Sequence, residues 1–188
     1  MTMIAVGIDY SLTCPCVCVS TDKTFANSSL HFLTDRKAVV GKFQNIYGKE
    51  HDEYLTEQQR YENIANWVLS ILNGLTNLTC EEIHIMIEDY SFGSKGKVFH
   101  IAENCGVLKY LLYKNDYKFH TVPPTVVKKF ATGKGNAKKE NMLEKFVAET
   151  GLDLHNILSP TTKLGSPTTD VVDAWYMARY MIDTLEKS

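Results

Sequence analysis

The chain has 188 residues, 44% of them hydrophobic, and a formal net charge of −2. That length and apolar content suit one compact domain, residues 1–188, with its own core, and no apolar run nears the roughly 18 residues needed to span a bilayer. The small net charge makes no global case for nucleic acid, and five cysteines without framework spacing suit a reducing, cytoplasmic setting rather than a disulfide scaffold.

Met3 to Ile8 reads as a first strand ending at Asp9, without the basic stretch and long apolar segment of a signal peptide. Cys16 to Ser20, a turn at Thr21-Asp22-Lys23, and Thr24 to Phe32 read as a hairpin. Cys14, Cys16 and Cys18 alternate as one strand face would; no fourth ligand accompanies them, so they read as small packing residues. Asp35 to Asp52 is poorly periodic and reads as helix or loop. Leu55 to Leu72 has helical spacing in Tyr61, Ile64, Ala65, Val68 and Leu72, with a stop at Asn73-Gly74.

Ile83 to Ile87 is a strand with its isoleucines on one face, which places Glu88 on the face of His84 and Met86. Val98 to Tyr113 reads as a helix, and Tyr117 to Val122 as a strand closed by Pro123-Pro124. A short helix over Thr125 to Phe130 and a longer one from Ala137 to Thr150 follow. Asp153 and His155 fall in a loop. Ser166-Pro167 opens a last helix, serine as cap and proline in the first turn, with Val171, Ala174, Ala178 and Met181 on its buried side. The order predicts an α/β fold with a five-stranded mixed sheet and helices on both faces.

Four carboxylates stand out. Asp170 and Asp173 are three apart on one helical face, and Asp9 and Glu88 each end an apolar strand. Like charges so close repel unless a cation lies between them. An all-carboxylate set prefers hard divalent ions, Mg²⁺ with Mn²⁺ as substitute. Two such ions about 4 Å apart serve phosphodiester hydrolysis, activating a water and stabilising the leaving oxygen.

Basic residues are concentrated. Lys128, Lys129, Lys134, Lys138 and Lys139 occupy an acid-free stretch, and Lys95 and Lys97 lie beside Gly93 and Gly96. Such lysines offset phosphate charge without reading sequence. Phe92, in the loop after Glu88, is a candidate wedge against unpaired bases; stacking of that kind contributes about 1–3 kcal/mol.

Gly7-Ile8-Asp9-Tyr10-Ser11-Leu12-Thr13, Ile87-Glu88, Lys128 with Thr132-Gly133-Lys134-Gly135-Asn136-Ala137-Lys138-Lys139-Glu140, and Thr169-Asp170-Val171-Val172-Asp173-Ala174 resemble, in order, the motifs of the RuvC family of Holliday junction resolvases. The resemblance runs from residue 7 to about residue 180. It implies an RNase H-like fold and a homodimer that resolves four-way DNA junctions by paired symmetric nicks, leaving 5′-phosphate and 3′-hydroxyl ends. It also implies Asp9, Glu88, Asp170 and Asp173 as metal-binding acids, and Lys128 and Lys139 as basic residues near the scissile phosphate. Compact, divergent members of this kind resemble those of large DNA bacteriophages, which resolve branched DNA before packaging it inside a bacterial host.

Tyr10-Ser11 departs from the family's proline and glycine, and Lys138 stands where an acid is common. These changes leave the acids intact but give no basis for carrying over a cut-sequence preference. A flap, fork or RNA–DNA hybrid nuclease of the same fold is the nearest alternative. A non-catalytic branched-DNA-binding or packaging protein is another.

Overall fold

The computed structural model describes residues 3–75, 79–80, 82–89, 98–159 and 163–187. Seven strands form one mixed sheet in the order β4-β5-β3-β2-β1-β6-β7. They are β1 (Ile4–Asp9), β2 (Cys16–Ser20), β3 (Ser28–Thr34), β4 (Gly41–Phe43), β5 (Ile46–Glu50), β6 (Ile83–Glu88) and β7 (Phe119–Val122). Helices α1 (Glu57–Asn73) and α2 (Val98–Lys114) cover one face. The other carries α3 (Pro124–Thr132), α4 (Lys139–Thr150), α5 (Leu154–Leu158) and α6 (Thr168–Leu185).

Strand alternation sorts β1 between two cores. Ile4, Val6 and Ile8 pack toward α1 and α2, while Ala5 faces the α6 side. Gly7 shares that second face, and α6 crosses it at backbone contact: a Cβ there would stand 2.2 Å from the Ala174 carbonyl oxygen and 2.5 Å from the Ala178 nitrogen. Thr168, Thr169, Val171 and Val172 open α6 with four β-branched residues, each up to about 0.7 kcal/mol worse than alanine in a helix. Packing outweighs them, since Val171, Val172 and Trp175 are buried and each such side chain contributes about 1.5–3 kcal/mol. Trp175 meets Phe146 edge-on with ring centroids 4.9 Å apart, and Phe25 meets Phe146 at 5.2 Å, pinning α6 to α4 and to the β2–β3 connection.

Three expectations are corrected. The 35–52 segment is more than a helix or loop: after a 3-10 turn over Lys37–Val39 it supplies β4 and β5, and the sheet has seven strands rather than five. β5 pairs in parallel with β3, and Gly48 makes this possible, because a Cβ there would lie 2.2 Å from the Val39 carbonyl oxygen and 2.7 Å from the Phe32 ring. Ser166 does not cap the last helix; Pro167 holds the N-cap position without a side-chain bond, and Ser166 is used elsewhere. The Asp153–His155 stretch is no loop but the start of α5, capped by the Asp153 carboxylate, which accepts from the Asn156 N–H at 3.1 Å. No helix among the described residues is long and apolar enough to cross a membrane.

Candidate active site

Parallel pairing brings two acids together. Ile8 lies opposite Ile87 in the β1–β6 register, so Asp9 and Glu88 leave neighbouring strand ends on the α6 face. The close crossing at Gly7 carries the first turn of α6 over the same ends, and with it Asp170 and Asp173. Asp9 and Asp170 are buried, and Glu88 and Asp173 are partly so.

The charges of the four act on one another. Burial holds Asp9 well above the ordinary carboxyl range, and the charges of Glu88, Asp170 and Asp173 push it further. Burial, then Glu88 and Asp170, raises Asp173 to about 7. Asp170 and Glu88 are raised too, chiefly by burial; Lys128 partly offsets this at Glu88, and contact with Ser166 and the charge of Lys139 do so at Asp170. Asp9 and Glu88 are in side-chain hydrogen-bonding contact.

Lys128 on α3 and Lys139 at the start of α4 are the sequence-predicted cations that reach the acids; Lys139 also donates to Thr169 Oγ1 at 3.4 Å. Lys129, Lys134 and Lys138 are exposed on α3, in the following loop and at the head of α4. Among the described residues none of these five lysines forms an ion pair. Phe92, Lys95 and Lys97 lie outside the described residues.

The donor set fits a hard divalent cation. Among the described residues four crowded carboxylates meet two nearby lysines, and Asp170 Oδ2 is buried without a hydrogen-bond partner. Cys14 lies near Asp170, and burial pushes its thiol up. Among the described residues no three acid, histidine or cysteine side chains already surround a common point as ion ligands would. Ligation would therefore require the grouped carboxylates to turn inward.

Several supporting residues escaped the sequence reading. Arg60 donates to the Leu12 carbonyl at 2.9 Å, and a His51 ring nitrogen lies 3.1 Å from the Thr13 carbonyl, together fixing the loop after Asp9. Arg36 donates to the Ser166 carbonyl. Each contact joins residues far apart in sequence, and no local spacing signals it. Cys14, Cys16 and Cys18 are buried with free thiols, as the strand alternation predicts.

A mixed sheet with helices on both faces and acids at the ends of its central parallel strands defines an RNase H-like α/β fold. The structure of Thermus thermophilus RuvC matches it with a TM-score of 0.62 at 16% identity, covering 97% of each chain. Thermus thermophilus RuvC in complex with a Holliday junction substrate matches with a TM-score of 0.64 at 15% identity, covering 98% of this chain and 96% of that one. The fold is thus that of the family whose motifs the sequence resembles. No family model and no curated protein matches the sequence.

Proposed function

We propose that the protein is a divalent-metal-dependent endodeoxyribonuclease that resolves four-way DNA junctions by paired symmetric nicks, leaving 5′-phosphate and 3′-hydroxyl ends. The observation that carries this reading is the cluster of Asp9, Glu88, Asp170 and Asp173, flanked by Lys128 and Lys139, on this fold. Asp9, Glu88, Asp170 and Asp173 would hold Mg²⁺, or Mn²⁺ in its place. Bound there, the ions supply Lewis-acid activation of the attacking water and relief of charge on the leaving oxygen. Lys139 and Lys128 hold the phosphodiester beside the acids, and Lys129, Lys134 and Lys138 extend the backbone contact. That Thermus thermophilus RuvC engages a Holliday junction supports a branched substrate here.

Incubation with Mg²⁺ and a panel of synthetic four-way junctions, flaps, forks and RNA–DNA hybrids tests it. The expected result is paired nicking of the four-way junction, lost when chelator removes the metal. Preferred cutting of a hybrid by a monomer would replace junction resolution with RNase H-type activity. Junction binding indifferent to Mg²⁺, without product from any panel member, would leave a binding protein.

Paired nicks need two sites, so we propose a two-fold homodimer. The outer face of α2 supports it: Phe99, Tyr110 and Tyr113 are 82%, 59% and 75% exposed. They recur near whole turns with the exposed Gly106 among them. Phe99→Glu together with Tyr110→Glu should shift the protein to monomer in light scattering and turn paired nicks into single ones, with the melting temperature little changed. A dimer that survives both changes would move the interface elsewhere.

A further inference from the structure

We infer that Arg36 is a positioning residue for the acid cluster, acting through Ser166 on Asp170. The inference rests on the metal-binding reading of that cluster. Arg36 follows β3, where its own N–H donates to Thr34 Oγ1 at 3.1 Å and so fixes its backbone. From there Nη1 donates to two neutral acceptors, the Ser159 hydroxyl at 3.1 Å and the Ser166 carbonyl at 2.8 Å. Ser159 closes α5 and Ser166 stands just before α6, so one guanidinium nitrogen ties the end of α5 to the start of the acid-bearing helix.

α6 begins without a side-chain cap, and the residue before its N-cap, Ser166, is exposed. Ser166 stands one turn before Asp170, and its hydroxyl lies near enough to that carboxylate to favour its charged form. Holding the Ser166 carbonyl therefore sets where its hydroxyl meets Asp170, and hence how that carboxylate is turned toward Asp9. Arg36 forms no ion pair among the described residues, which leaves its donors to this bridge. Residues that orient a metal-binding carboxylate without touching the metal commonly change affinity 10- to 100-fold when removed, roughly.

Mn²⁺ titration of the metal-free protein, followed by electron paramagnetic resonance, tests this without relying on cleavage. Arg36→Ala and Ser166→Ala should each weaken Mn²⁺ binding about tenfold. The double variant should be no worse than the weaker-binding single variant, because both act on one link. Arg36→Lys, which can still donate to both acceptors, should recover most of the affinity. Ser166 is exposed, so its variant tests the same link if Arg36→Ala folds poorly. Wild-type affinity in Arg36→Ala, or losses that multiply in the double variant, would overturn the inference. So would a defect confined to metal-free junction binding, which would make Arg36 a DNA contact. Failure of the wild-type chain to bind Mn²⁺ is a separate outcome; it would overturn the metal reading itself.

Discussion

Replacing Asp173 with asparagine is expected to abolish Mg²⁺-dependent cleavage and at the same time raise the melting temperature of the metal-free protein. Burial and the neighbouring Glu88 and Asp170 push the Asp173 carboxyl up to about 7, against an ordinary 3.8. Between those values the native state keeps a proton that the unfolded chain has released. Stability from this group is therefore present at low pH and lost as pH rises from about 4 to about 7. Asparagine carries no charge to repel its neighbours, so the variant should lose none of that stability. The melting-temperature gap between variant and wild type should open across this interval and stay open above it. Mg²⁺ should then close the gap by stabilising the wild-type chain more than the variant. Parallel melting curves at every pH would mean that the acids do not strain one another, and undiminished cleavage by Asp173→Asn and Asp9→Asn would remove the assigned site.

Gly7→Ala should be the most damaging change of a single methyl group. Its Cβ would meet the Ala174 carbonyl oxygen and the Ala178 nitrogen at 2.2 and 2.5 Å, and both are backbone atoms with no rotamer to change. Either α6 lifts from β1 or the strand is displaced. Overpacking costs about 1–3 kcal/mol where side chains can shift, and occasionally more; with backbone on the other side the upper end applies. Because α6 carries Asp170 and Asp173, any lift also separates them from Asp9 and Glu88. Chemical denaturation should show a loss of about 3 kcal/mol. Cleavage should fall even at temperatures where the variant remains folded. Wild-type stability in Gly7→Ala would contradict the close crossing on which the site depends.

Much of this site is legible from local pattern. Two-residue alternation puts Asp9 and Glu88 on the face opposite the isoleucines of their strands, and three-residue spacing puts Asp170 and Asp173 on one side of a helix. The lysines of α3 and α4 stand out because no acid interrupts them. The β4–β5 hairpin was hidden for physical reasons. β4 is three residues long, its turn uses Gln44 at φ 59° where glycine is the usual signal, and β5 is mostly exposed apart from Ile46. Gly48 reads as a strand breaker, yet it is the residue that lets β5 lie against Phe32. Ser166-Pro167 misled differently. Its residue types suit a capped helix start, but Arg36 holds the serine carbonyl from 130 positions away.

The hairpin also shapes how a polyanion meets the molecule. β5 runs parallel to β3 and, through the two antiparallel pairs that follow, in the same sense as β1, so Glu50 leaves the sheet at the end where Asp9 lies. Asp52, Glu53 and Glu57 follow it, and the His51 contact to Thr13 fastens this segment beside the loop after Asp9. The lysines of α3 and α4 stand instead on the sheet face that carries α6, where Lys128 and Lys139 reach the acids. The acidic segment after β5 and the lysines of α3 and α4 therefore give the acid-bearing end of the sheet two regions of opposite charge. If the proposed junction substrate binds there, this asymmetry would turn its backbone toward α3 and α4 as well as attract it.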